Sequence, residues 1–320
     1  MSVRFPDGKR FAFTIFDDTD VATVENVKPV YDLLTELGMR TTKTVWPFNW
    51  TRGPSNFSSS ETLEDAPYVE FVQSLAAGGF EIASHGATME TSDRETTRRA
   101  HERLKALFGA YPRSYANHSW NRENLYWGAD RIDVPWLRAL YARYLGIAPD
   151  FYQGHVPGSP LWWGDLCAER HDYVRNLTFN ALNALDVNPT MPYHDPSRPL
   201  VKYWFSATDA ENCEEFVRRF AGDGIARLEA AGGVCIVATH LGKGFTVNGR
   251  VDPRVETILR ALAARSGWFV PVSELLDYMR HARRAAGHDR DTLSPKEWRA
   301  LQVRWARDLV WRRIAPKFGG

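Results

Sequence analysis

Two rhythms of apolar residues alternate along the chain. Dense runs rich in β-branched and aromatic residues read as strands. They are Phe13–Phe16, "TTKTVW" from Thr41, "FEIASHG" from Phe80, "SYANHS" from Ser114, "VKYWFSA" from Val201, "VCIVATHLG" from Val234 and "WFVPVSELL" from Trp268. "LGIAP", from Leu145 to Pro149, reads as a further strand after "SYANHS". Between these runs, apolar residues fall at helical spacing. Val24, Val27, Tyr31, Leu34 and Leu37 form one stripe, closed by Gly38. Pro67–Ala77 forms another, ended by Gly78 and Gly79. A third runs through Leu104, Leu107 and Phe108, opened by a Ser92–Glu95 capping box and closed by Gly109. Pro135–Tyr144 and Cys213–Ala230 follow, and Asp252 caps a helix that has Pro253 at its first position.

Strands alternating with helices imply an α/β fold with a parallel sheet. Seven or eight such units favour a (β/α) barrel over an open sheet. Residues from about 150 to 199 are rich in Pro, Gly, Trp and Asn, break the rhythm and read as an insertion over one face. The expected division is a barrel over residues 1–286, insertion included, and a C-terminal helical extension over 287–320. A Ser294–Glu297 capping box opens that extension, and Trp298, Leu301, Trp305, Leu309 and Arg312 continue it at helical spacing.

Charge and composition narrow the classes. Net charge is +1 and hydrophobic residues make up 44%, a globular balance that gives no electrostatic basis for nucleic-acid binding. From Asp277 onward there are 11 Lys or Arg against 5 Asp or Glu, 11 − 5 = +6. Such a tail suits peripheral contact with an anionic membrane surface, or is simply a solvated helix face. No apolar stretch is long enough to span a bilayer. The start, "MSVRFPDGKRF", lacks the apolar core of a secretory signal, so a cytoplasmic location is expected. Three widely spaced cysteines give neither a disulfide framework nor a cysteine zinc site. Twelve tryptophans suggest a cleft that binds rings, with Trp46 and Trp120 among its candidates.

Chemistry in parallel α/β barrels sits where the strands end. Asp17, Asp18 and Asp20 follow the first strand, and Trp46 and Trp50 the second. His85 follows the third, Asn117 and His118 end the fourth, and His240 follows the late apolar strand. Carboxylate and imidazole ligands around an open position suit a divalent metal. A carboxylate beside such an ion can accept a proton from its water, and a histidine across the cleft can protonate a leaving group.

"TIFDDTD", "EIASHGATM" and "IVATHLGKG", in this order, resemble the motifs of the polysaccharide deacetylase (NodB-homology) family. The resemblance spans roughly Phe11 to Tyr278. It implies a distorted (β/α) barrel that removes acetyl groups from N-acetylated sugars with a metal, often zinc. It also implies Asp17 as catalytic base, Asp18 and His85 as metal ligands and His240 as proton donor. The chain departs from the pattern at Met89, where the second histidine ligand belongs, and at Ala116, where an arginine belongs. His118 or Asp20 is expected to supply the missing ligand and Asn117 part of the arginine's role, with Trp46, Asn117 and Trp120 contacting substrate. The expected function is deacylation of an amino sugar, nucleotide-linked or lipid-linked, in surface polysaccharide synthesis. The alternative is an inactive barrel that binds carbohydrate.

Overall fold

The computed structural model describes residues 4–148, 150–288 and 290–314. Strands and helices alternate as β1 (Phe11–Asp17), α1 (Val24–Glu36), β2 (Thr42–Val45), α2 (Ala66–Ala77), β3 (Glu81–Ser84), α3 (Arg94–Phe108) and β4 (Ser114–Ala116). Then come α4 (Pro135–Leu145), α5 (Gly164–Arg170), β5 (Tyr173–Phe179), β6 (Tyr203–Asp209), α6 (Cys213–Phe220), α7 (Gly224–Ala230) and β7 (Val234–Thr239). A small hairpin, β8 (Thr246–Val247) and β9 (Arg250–Val251), precedes α8 (Pro253–Ala263). The chain ends with β10 (Gly267–Trp268), α9 (Val272–Ala285) and α10 (Pro295–Ile314).

Strands β1 to β7 pair in sequence order, all parallel, and β7 returns to pair with β1 from Ala12↔Val234 to Asp17↔Thr239. This closes a (β/α) barrel of seven strands. β10 joins β1 only at Phe11 and Ala12, whereas β2 joins β1 at Phe16 and Asp17. Hence β10 fills the bottom of a seam that β2 closes only at the top.

Local chemistry sets most element boundaries. Thr23 caps α1, Asp252 caps α8, and the Ser294–Glu297 box opens α10. At α3 the expected Ser92 cap is displaced by one residue: Asp93 accepts from the Thr96 amide. The expected single helix over Cys213–Ala230 is two, because Gly222 at φ 70° turns the chain between α6 and α7.

The larger correction concerns β5. "LGIAP" is not a strand: Leu145 ends α4, Gly146 at φ 65° caps it, and Pro149 lies outside the described residues. The fifth barrel strand is Tyr173–Phe179, inside the stretch read as an insertion. Arg175 and Asn176 interrupt its apolar pattern, which hid it.

Each strand alternates its side chains between two layers. Ala12, Phe16, Ala83, Ala116, Phe205, Ile236 and Ala238 fill the barrel interior. Phe11, Phe13, Ile15, Ile82, Cys235 and Val237 face the surrounding helices. A third cluster joins Val174, Leu177 and Phe179 of β5 to Leu301 and Trp305 of α10. The C-terminal helix therefore closes the wall over β5. Among the described residues no helix is long and apolar enough to cross a membrane.

Trp305 is buried and meets Tyr141 edge-on. Trp305→Ala is expected to cost about 3–5 kcal/mol, through lost burial and the cavity left behind. Urea unfolding followed by circular dichroism measures it; a loss below about 1 kcal/mol would mean that α10 is not part of the cooperative core.

Candidate metal centre and active site

The strand alternation decides which of the acids at the end of β1 faces the barrel mouth. Phe13 and Ile15 point to the helices, so Asp17 does too; Ala12 and Phe16 point inward, so Asp18 follows them. Asp17 is wholly enclosed. Its Oδ1 accepts from the Leu241 amide at 2.8 Å, and its Oδ2 accepts from Tyr31 Oη and Lys43 Nζ, both at 2.9 Å. Lys43 is its register partner on β2. Burial alone would lower the Lys43 pKa, but the neighbouring carboxylate outweighs it and raises it. The base expected at Asp17 is thus a structural ion pair below the mouth, not a group facing the cleft.

Asp18 enters the mouth and meets Arg175 of β5 in a two-point pair, Nη1–Oδ1 at 2.7 Å and Nη2–Oδ2 at 2.5 Å. Arg175 also lies over the Phe16 ring, 5.2 Å from its centroid, which fixes it on the inner wall. Burial pushes the Asp18 pKa up; Arg175, His85 and His240 overcome this and hold it below the usual value. Arg175 is the missed residue of the site. Its signal, an alternating strand around "YVRNLTF", was masked by the polar residues in that strand.

The metal-ligand geometry centres on Asp20. Its Oδ1 lies 3.2 Å from His85 Nε2 and 3.3 Å from His118 Nδ1, and those two nitrogens are 3.1 Å apart. Three ligands at zinc–nitrogen and zinc–oxygen bond lengths of about 2.0–2.1 Å, in a tetrahedron, stand roughly 3.3–3.4 Å from one another. The observed triangle approaches that spacing. All three residues are buried, and Asp20 Oδ1 has no hydrogen-bond partner. The Asp20 pKa would rise by burial, but contacts with His118, His240 and His85 drive it well below the ordinary value. Burial lowers the His118 pKa more than Asp20 raises it. A buried carboxylate and two imidazole nitrogens aimed at one point fit a divalent cation. Of the expected ligand set, His85 and His118 come together; Asp18 takes Arg175, and Asp20 occupies the carboxylate corner.

His240 lies on the other side of Asp20. Its Nδ1 contacts the Glu211 carbonyl at 2.6 Å, which places the proton on Nδ1 and turns Nε2 into the site. Nε2 stands 3.3 Å from Asp20 Oδ2 and 3.8 Å from Asp18 Oδ2. Burial would lower its pKa, but Asp20 and Asp18 more than compensate and raise it.

The residues expected to contact substrate divide differently. Trp46 is fully buried, donates from Nε1 to the His85 carbonyl at 3.0 Å and packs against both His85 and His118. It supports the histidines and offers no face to a sugar. Asn117 exchanges both amide hydrogen bonds with Leu125, at 3.0 and 2.9 Å, so its polar groups are spent on the loop. Trp120 is 54% exposed and remains available. Met89 is buried. Asn124, not foreseen, braces His118 by bonding its backbone amide and carbonyl. Of the histidines between about 150 and 199, His171 faces His101, His155 packs on Tyr126 and His194 meets the Lys202 carbonyl; none joins the triangle.

Compared with protein-family models and with curated proteins, the sequence matches none. Solved structures do match. A protein of Pseudomonas aeruginosa PAO1 described as a probable polysaccharide deacetylase superposes with a TM-score of 0.51 at 14% identity, over 89% of this chain and 94% of that one. A Mycobacterium smegmatis protein assigned as a polysaccharide deacetylase gives 0.50 at 16% identity, over 92% and 96%. The chain has the fold of the polysaccharide deacetylases. The same deacetylase fold is shared by Puue allantoinase, with a TM-score of 0.50 at 14% identity over 89% and 94%. The likeness read from the three motifs is thus met again in the architecture, at a low identity that fits a divergent sequence.

Replacing Lys43 by Met would leave the Asp17 carboxylate buried without its cation. The expected loss of stability is about 3–5 kcal/mol, read from chemical denaturation. A loss below about 1 kcal/mol would mean that the pair does not anchor the end of β1.

Proposed function

We propose that the protein is a metal-dependent hydrolase that removes an acyl group from an N-acylated amino sugar. The observation that carries the reading is the Asp20–His85–His118 triangle, with Asp18 and His240 flanking it. These three side chains would hold the ion, most simply zinc, and the chemistry it would supply there is acidification of a water and polarisation of the acyl oxygen. Asp18 accepts the proton of the attacking water. Its pair with Arg175 keeps the carboxylate ionised and fixes its direction. His240, positioned through the Glu211 carbonyl, returns a proton to the departing amine from Nε2. Relative to the motif-based expectation, base and carboxylate ligand each move along the "DDTD" segment, to Asp18 and Asp20.

The substrate class rests on the deacetylase fold and on the depth at which the site residues lie. The side chains of Asp18, Asp20, His85 and His118 are at most 7% exposed, and that of His240 is 14% exposed. Phe57 stands edge-on to His118 at 4.7 Å. Groups set this deep suit one amino-sugar unit better than the middle of a polymer. A nucleotide-linked or lipid-linked sugar of a surface polysaccharide pathway meets that requirement.

The test is acetate release from N-acetylated amino sugars, with allantoin as comparison, using protein loaded with zinc, cobalt, nickel or manganese. Asp18→Asn is expected to lower kcat by about 10²–10⁴-fold while Asp17→Asn acts mainly on stability. Undiminished turnover in Asp18→Asn would overturn the assignment of the base, and turnover of allantoin alone would replace the substrate class. The pH profile tests His240. A proton donor works while protonated, and the His240 pKa is raised, so kcat is expected to fall only as pH rises beyond the ordinary histidine value of about 6.5. That alkaline limb should vanish in His240→Asn; an unchanged limb would remove His240 from the role.

A further inference from the structure

Helices α4 and α10 lie side by side on the outer wall, joined where Tyr141 meets Trp305. Their inner sides bury Leu137, Leu301 and Trp305. Their outer sides are also apolar. Trp136 is 65% exposed, Leu140 61%, Tyr144 50%, Val310 56% and Trp311 64%. Trp136, Leu140 and Tyr144 are four residues apart and form one stripe along α4. A groove between the helices is lined wholly by apolar and aromatic side chains, and Leu140, Tyr144 and Val310 belong to both groove and exposed ridge. A helix that is apolar on both sides normally has a cover on both.

The charges around this ridge identify the cover. Among the described residues, every exposed charged side chain within the two helices is cationic, Arg138 and Arg143 on α4 and Lys296, Arg299 and Arg307 on α10, while exposed Asp133, just before α4, is held by Arg198 at 2.7 Å. Arg138 is engaged by Asp130 at 2.6 Å. The acids of α10 are turned away: Glu297 holds Ser294 and Arg290, while buried Asp308 takes the Asn180 amide. The sequence after Trp311 adds Arg312, Arg313 and Lys317 and no acid. A second copy docked about a two-fold axis would set this cationic rim against itself. Tryptophan and tyrosine on an apolar ridge, with arginines at its margins, instead match the boundary between acyl chains and headgroups.

We propose that the α4–α10 face docks the protein on an anionic phospholipid surface. The surface is broader than the basic tail alone, since α4 contributes Trp136, Leu140 and Tyr144 to the apolar ridge. It does not depend on the hydrolase reading, because its test involves no turnover. Full-length protein is sedimented with phosphatidylcholine vesicles, with and without phosphatidylglycerol. Tryptophan quenching by brominated lipid reports insertion. Binding is expected only with the anionic lipid, weakening as salt is raised. R143Q and R307Q should each weaken it about fivefold. The double variant W136S/W311S should bind at least about tenfold more weakly while keeping the wild-type thermal transition, since both residues are exposed. Absence of binding to either vesicle, or binding unchanged in W136S/W311S, would overturn the proposal. Concentration-dependent dimerisation lost in that variant would assign the face to a second copy instead.

Discussion

A closed parallel barrel imposes a period of two on every strand, and at the strand ends that period decides which residues can do chemistry. The inner wall is built from small or apolar side chains, among them Ala12, Phe16, Ala83, Ala116 and Ala238. Two residues further along the same faces come Asp18 after Phe16, His85 after Ala83, His118 after Ala116 and His240 after Ala238. Arg175 continues the inner face of β5 from Tyr173. The site is therefore the upper rim of the barrel interior, and its polar residues converge because the strands do. Asp20 alone reaches it from a loop, held where Thr19 bonds Thr44 and Val21 bonds Ser60.

The same alternation gives Asp17 a different task. Facing the helices, it ties β1 to β2 through Lys43, to α1 through Tyr31 and to the end of β7 through the Leu241 amide. An enclosed ion pair contributes little net stability, because desolvation offsets the attraction. What it does supply is a fixed direction for the backbone that presents Asp18 and Asp20. Adjacent carboxylates in "FDD" thus face opposite layers, Asp17 toward the helices and Lys43, Asp18 toward the barrel mouth and Arg175.

Much of this was legible in the sequence. The alternating rhythms gave the barrel, and the strand ends gave His85, His118 and His240 together with the acidic segment. Matching "FDDTD" to a family motif by letters points to Asp17 as base and Asp18 as ligand; the proposed roles lie one residue further on for the base and two for the ligand, because Asp18 shares the inward face of Phe16 and Asp20 joins the two histidines. Arg175 was hidden because a strand with Arg and Asn at its centre reads as loop, and the pairing that makes it a barrel strand is long-range. A tryptophan at a strand end, such as Trp46, is as apt to stack on a sugar as to back a histidine, and only packing distinguishes the two.

The proposed centre requires Asp20, with His85 and His118, to hold a divalent metal while Asp18 stays paired with Arg175. Metal content by elemental analysis, on zinc-loaded wild-type, Asp18→Asn and Asp20→Asn proteins after exhaustive dialysis, tests it most directly. About one equivalent is expected in wild-type and in Asp18→Asn, with loss of the ion in Asp20→Asn. Metal retained in Asp20→Asn and lost in Asp18→Asn would contradict it, and would return the carboxylate ligand to the position that the motif first implied.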